Sequence, residues 1–182
     1  MCFALLASVG SACAEEIGVR ELRLLPQDEG YALFARFDVQ LSDRLESVLN
    51  RGGMLAFVVE FECERPRWYW LDARVVSKRI ETRLSYHPLT RTYRLSAGAL
   101  NETYSNLRDA LDALSSIDGW QVLAQGDLEP HTAYEVGVRI WLDVNQLPKP
   151  IQLSALTNRE WSLSSGWQRW GFLTGPGGKM VQ

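Results

Sequence analysis

Between Arg65 and Arg94 the chain gathers Arg65, Arg67, Arg74, Lys78, Arg79, Arg83, Arg91 and Arg94 against only Asp72 and Glu81, with Trp68 and Trp70 inside the run. Guanidinium groups recognise phosphates and carboxylates through a planar fork, and indole rings offer flat apolar area on which sugar rings stack. Brought onto one strand face, Trp68, Trp70, Arg74, Arg79 and Arg83, with Arg94 opposite on a neighbouring strand, would make a basic-aromatic binding face. Such a face also resembles a platform for single-stranded nucleic acid. An exported chain does not meet that partner, so nucleic acid is set aside. The competing reading of the same residues is structural: the arginines pair across strands with Glu60, Glu62 and Glu64, and the tryptophans pack under the C-terminal segment.

Other chemistry finds little support in the residue types. There is no G-x-S-x-G elbow, no S-x-x-K, no H-E-x-x-H and no glycine-rich phosphate loop opening a helix. His87, beside Pro88, and His131, after Pro130, have no ligand-spaced neighbours, so neither a metal nor another cofactor is expected. Glu60 and Glu62 lie two apart on a strand face that reads as wet, where no carboxyl acquires the raised pKa that general acid work needs. The chain is therefore expected not to be an enzyme. The alternative is an envelope enzyme acting on cell-wall or lipid material through a carboxylate site without a sequence signature, and a second alternative is a structural subunit of an envelope assembly.

The elements that must position these residues are mostly strands. Leu33, Ala35, Phe37 and Val39 alternate with Arg36, Asp38 and Gln40, and the segment from Ile17 to Leu25 should pair with them across the turn at 26–30. Ser42 offers an N-cap, Leu45, Val48 and Leu49 recur at helical spacing, and Gly52-Gly53 stop a short helix. From Met54 to Glu64, Leu55, Phe57, Val59, Phe61 and Cys63 define a core face, with the glutamates on the other side. Between Trp68 and Tyr86 the apolar parity changes from odd to even, which calls for a β-bulge near Val75-Val76. The turn at 86–90 leads into a returning strand, Arg91 to Ser96, with Tyr93 and Leu95 inward. Tyr104, Leu107, Leu111 and Leu114 predict a helix from Asn101 to Ser116, and strands follow at Trp120 to Leu128 and Tyr134 to Leu142. Leu147-Pro148-Lys149-Pro150 reads as stiff and extended. Trp161, Trp167 and Trp170 read as core packing, with a helical stripe or an exposed anchor as the other options. Seven or so strands joined by hairpins and two short helices favour a mainly β fold, an antiparallel β-sandwich, of which the immunoglobulin-like form is one version.

The chain has 182 residues, a net charge of −3 and 7 Trp, which is ordinary for one packed domain and points to no polyanionic partner through bulk charge. Residues 1–14 read as the end of a secretory signal peptide, an apolar run closed by Ala12-Cys13-Ala14. The positive segment with which such signals begin is missing, which leaves room for a start upstream. A short buried strand or helix is the competing reading, and a lipid anchor at Cys13 a weaker one. A single sandwich domain over 15–174 and a frayed tail over 175–182 complete the organisation. Cleavage after Ala14 leaves Cys63 as the one thiol, buried on the apolar parity of its strand.

Arg65-x-Arg67-Trp68-Tyr69-Trp70, Leu84-Ser85-Tyr86-His87-x-Leu89-Thr90-Arg91-x-Tyr93-Arg94, Leu142-Asp143, Leu147-Pro148-Lys149-Pro150 and Glu160-Trp161 together resemble the bacterial domain-of-unknown-function family 4390. The resemblance covers nearly all of the chain after residue 14. It implies a small proteobacterial protein with an N-terminal signal, on the periplasmic side of the envelope, with no established activity and an accessory or sensing role beside a membrane sensor kinase. It carries over no catalytic residue. The function expected is a non-enzymatic periplasmic binding module whose partner is a membrane protein or an anionic envelope component, reached without a membrane span.

Overall fold

The computed structural model describes residues 17–28, 30–66, 73–149, 151–152 and 161–181. The expected signal segment, and Trp68 and Trp70, lie outside the described residues.

Among the described residues ten antiparallel strands form two sheets. The opening hairpin pairs β1 (Gly18–Gln27) with β2 (Gly30–Asp38), and β2 also pairs β7 (Ser116–Ala124), giving the order β1-β2-β7. Gly30 is required at this junction. Its φ is +143°, and a Cβ there would sit 2.1 Å from the carbonyl oxygen of Leu123. The larger sheet contains β3 (Met54–Arg65), β4 (Ala73–His87), β5 (Thr92–Ala97), β6 (Leu100–Tyr104), β8 (Ala133–Leu142), β9 (Gln168–Thr174) and β10 (Met180–Val181), in the order β10-β9-β8-β3-β4-β5-β6. Alternation explains the layering, because every second residue of β2 and β3 is apolar and must leave water. Leu33, Ala35 and Phe37 of β2 meet Leu55, Phe57, Val59, Phe61 and Cys63 of β3, and Val136, Val138 and Ile140 of β8, in one core. This division into three and seven strands is not the four-plus-three layout of an immunoglobulin constant-type sandwich.

Helices lie in the connections between the two sheets. In α1 (Asp43–Asn50) the Ser42 hydroxyl accepts from the Leu45 amide, and Leu45, Val48 and Leu49 are buried as their spacing requires. The second helix, α2 (Leu107–Leu114), is shorter than its apolar stripe predicts. Gly98, at φ +57°, turns the chain into a β5–β6 hairpin, so Leu100–Tyr104 pairs with β5 and helix begins only after Asn106, whose side chain accepts from the Asp109 amide. Pairing with an existing strand overrides a helical pattern when the partner edge is one short turn away.

Other expectations are corrected in the same way. Strand β7 starts at Ser116 and ends at Ala124, four residues before the predicted end, and the chain reaches the buried Leu128 through a turn. Beyond Leu147 the chain turns helical, since the Pro148 carbonyl accepts from the amides of Ile151 and Gln152. The C-terminal segment is hydrogen-bonded where fraying was expected, with a 3-10 turn at Pro176–Gly178 leading into β10, which pairs with Leu173 and Thr174 of β9. The bulge near Val75 is present. Cys63 faces Val76 while Glu64 faces Arg74, so Val75 is the extra residue and the apolar parity of β4 is restored. Among the described residues no helix is long and apolar enough to cross a membrane.

Candidate functional site

The outer face of the seven-stranded sheet, the one turned away from the smaller sheet, carries an ordered arrangement of charge and aromatic rings. On β3 the even positions Glu60, Glu62 and Glu64 point to this face, but the face is not wet at its centre: Glu60 is 0% and Glu62 5% exposed. They are roofed by side chains from neighbouring strands. Glu60 faces Arg79 of β4 on one side and Arg139 of β8 on the other. Arg79 Nε donates to one carboxylate oxygen at 2.6 Å, and Arg139 donates to the other from Nε at 2.8 Å and from Nη2 at 2.6 Å. Arg74 reaches Glu62 at 3.2 Å, while Arg169 of β9 lies 3.2 Å from Glu135 and 3.5 Å from Glu64.

Above this ionic layer the guanidinium groups alternate with indole rings. Arg79 lies 6.0 Å from the ring centre of Trp141, Arg139 lies 4.3 Å from Trp141 and 4.5 Å from Trp167, and Arg169 lies 4.8 Å from Trp167. The order Arg79, Trp141, Arg139, Trp167, Arg169 is thus a ladder running across β4, β8 and β9. Each cation is held from below by a carboxylate and from the side by the negative face of a ring.

Local sequence explains how Trp167 arrives there. Trp141 faces Ser164 and Val138 faces Gln168, so one extra residue is accommodated between them, and Gly166 turns at φ +63°. The Ser165 hydroxyl accepts from the Ile140 amide at 3.0 Å, which fixes the bulge. Trp161 is therefore buried, Trp167 turns outward and Trp170 packs inward against the core, which replaces the common core role expected for all three. Gly137 is the seat for Trp167: a Cβ at that position would lie 3.0 and 3.1 Å from two carbons of the indole ring.

Burial raises the pKa of Glu60, but the hydrogen bonds from Arg139 and Arg79 and their charges outweigh it, and the carboxyl is held below its usual range. It stays ionised, the opposite of what proton donation at neutral pH requires. Cys63, 0% exposed, is pushed up to about 12 by burial and then by the negative charges of Asp127 and Glu64, so it behaves as an apolar side chain.

The sequence-derived face is partly assembled. Arg74, Arg79 and Arg83 share the outer face of β4, and Arg94 stands on β5 opposite Ser85. Arg74 and Arg79 are tied to the buried glutamates, Arg83 pairs with Glu81 at 2.6 Å, and Arg94 has no ionic partner among the described residues. Two other basic residues of the run do not belong to this face. Lys78 is on the inner side, where its Nζ donates to the Gln121 carbonyl, and Arg65 forms a forked pair with Glu129 at 3.0 and 2.7 Å. Trp141, Trp167, Arg139 and Arg169 were missed. The signal was available: Arg139-x-Trp141 and Trp167-x-Arg169 are mirrored i,i+2 pairs, and that spacing puts both members on one strand face. His87 and His131 lie at opposite ends of the twelve-residue β3, on the order of 35 Å apart along the strand direction. Among the described residues no cluster of ligating side chains could hold a metal ion.

The class defined by this fold and site is an antiparallel two-sheet protein with a charge-neutral Trp–Arg ladder on the outer face of its larger sheet. The chain belongs to the family described as Domain of unknown function (DUF4390), which it matches over residues 14–171. No curated protein and no solved structure matches it.

Proposed function

We propose that this chain is a non-enzymatic interaction module of the periplasmic side of the bacterial envelope, and that the outer face of its larger sheet docks a partner protein, such as the exposed part of a membrane sensor. The observation that carries this reading is the ladder itself. Trp and Arg are enriched among the residues that dominate the energetics of protein interfaces, and here both are already held in place by one another, which lowers the cost of ordering them on binding. Much of the desolvation cost has also been met within the fold, since Glu60 and Glu62 are out of water before any partner arrives.

A protein partner is favoured over an anionic polymer by charge. Arg74, Arg79, Arg139 and Arg169 are matched by Glu60, Glu62, Glu64 and Glu135, so the ladder has no net positive field. Among the described residues of the basic run, Arg94, with Arg83 shared by Glu81, adds a basic margin beside it. The ionised state of Glu60 weighs against an acid-catalysed envelope enzyme at this face.

The test is photo-crosslinking in intact cells, with a photoreactive residue placed at Arg83 or Arg94 and, as control, at Arg23 on the outside of the smaller sheet. A discrete adduct from the first two positions that is lost on Trp141→Ala, from a chain recovered in the osmotic-shock fraction, is the expected result. Equal adducts from both sheets, or a chain retained with the cytosol, would overturn the proposal.

A further inference from the structure

We infer that β9 is a receptor edge, completed by an extended segment of a partner protein that pairs with Arg169 and Gly171 and carries a basic residue opposite Gly171. This concerns the sheet's edge rather than its face, and it stands whether or not the face docks a partner.

The backbone argument comes from register. Thr174 donates its amide to the Thr132 carbonyl, so Thr174 is directed at β8, and alternation along an antiparallel pair directs Phe172 and Trp170 the same way. Leu173, Gly171 and Arg169 are therefore directed away from β8. Leu173 is met by Val181 of β10, but among the described residues β10 covers only Leu173 and Thr174. Among the described residues the N–H and C=O groups of Arg169 and Gly171 have no strand beside them, which leaves two donors and two acceptors in line.

Two of the other edges, β1 and β6, are guarded and this one is not. The outer edge strand β1 carries Arg20 and Arg23, has Pro26 next to its last residue and is bulged between Val19 and Glu21, all devices that discourage a further strand. At the far end of the larger sheet, β6 has five residues and runs at once into α2. In β9 the open stretch is Arg169-Trp170-Gly171-Phe172, without proline. Its one charge is turned inward to Glu135, Glu64 and Glu62. Gly171 is also unexplained by packing. A Cβ there would make only an ordinary 3.6 Å contact with the Tyr134 carbonyl oxygen, and its φ is not positive. A glycine that the fold does not need, on an open edge, marks a place where another backbone comes close.

Charge and shape describe the occupant. Opposite Gly171 on the outer face stands Glu135, 43% exposed, whose cation is Arg169 at 3.2 Å. The corner holds Glu62, Glu64 and Glu135 against Arg74 and Arg169, one negative charge in excess. With no side chain on Gly171, a lysine or arginine of an added strand can extend across it to Glu135, two strand spacings or about 10 Å away. On the inner side the neighbours of the added strand are Trp170 and Phe172, both packed against the core, so the residues flanking the basic one should be apolar.

Amide hydrogen exchange of the whole chain tests this, with a short synthetic peptide alternating valine and threonine around one lysine as the probe. In the free protein the Arg169 and Gly171 amides should exchange fast while those of Trp170 and Phe172 are protected, and the peptide should slow the first two by about tenfold or more. Gly171→Pro removes an outward-facing N–H and no bond to β8, so it should fold and lose the peptide effect. Should that variant fail to fold, Glu135→Gln serves instead, and should reduce the lysine peptide to the effect of one with threonine in place of lysine. Three results would overturn the inference: Arg169 and Gly171 as protected as Phe172 in the dilute free protein, protection that rises with protein concentration alone and so reports a second copy, or no response to the peptide.

Discussion

Replacing Glu60 by glutamine removes the charge on which the outer face is organised, and the size of the effect follows from the geometry. Glu60 is fully buried and takes hydrogen bonds from both Arg79 and Arg139, whose side chains are 62% and 33% exposed. A hydrogen bond to a charged group contributes about 1.5–3 kcal/mol. The Arg139 side should lose about that much, because its guanidinium is held between Trp141 and Trp167 and is less free to turn to water than that of Arg79. Arg79 can turn to water and adds only a fraction. The expected loss is about 2–4 kcal/mol at neutral pH, near the lower end of what breaking a buried pair costs. Because the carboxyl is held below its ordinary value in the folded chain, its contribution is complete above the unfolded pKa of about 4.3 and is lost as the pH falls through the folded one. The gap between the parent and Glu60→Gln should thus be constant from pH 7 to about pH 5 and close below about pH 4. Urea unfolding followed by tryptophan fluorescence measures it. A gap under about 1 kcal/mol at pH 7, or one that persists unchanged to pH 3, would refute the view that Glu60 anchors the ladder as an anion.

Gly137→Ala should push the Trp167 ring off its seat, destabilise the chain by about 1–3 kcal/mol and weaken its near-ultraviolet circular dichroism, since the added methyl meets the ring at 3.0 Å. A variant as stable as the parent, with an unchanged spectrum, would show that the ring has room to shift. Asn106→Ala should cost about 1 kcal/mol in urea unfolding, because the Asn106 side chain caps the Asp109 amide at the start of α2. The thiol of Cys63, pushed up to about 12, should resist maleimide at pH 8 in the folded chain and react in denaturant, as read by peptide mass mapping. Rapid labelling of the folded protein at that position would contradict its burial.

The alternation of apolar and polar residues was enough to place most strands, the N-cap of α1 and the bulge at Val75, because these depend on side-chain period and local turn chemistry. The inner face of β3 was equally legible, since Leu55 to Cys63 leave no other way for that strand to turn. Where a local pattern was compatible with two states it misled. Leu100–Tyr104 carries part of a helical stripe, and the proximity of β5 made it a strand.

The candidate site was legible only in outline, because its chemistry is made by residues far apart in the chain. The pairing of Arg79 with Glu60 could be suspected from a 19-residue separation, but Arg139 comes to Glu60 from 79 residues away. The sequence by itself determined that this chain builds antiparallel sheets with one greasy side, and that arginine and tryptophan recur at strand spacing. Strand order alone decided that β8 lies beside β3 and β9 beside β8, and it thereby turned a face that reads as wet into a buried, charge-matched ladder. Which strands become neighbours is settled by the packing of the whole core, and no local period of side chains encodes it.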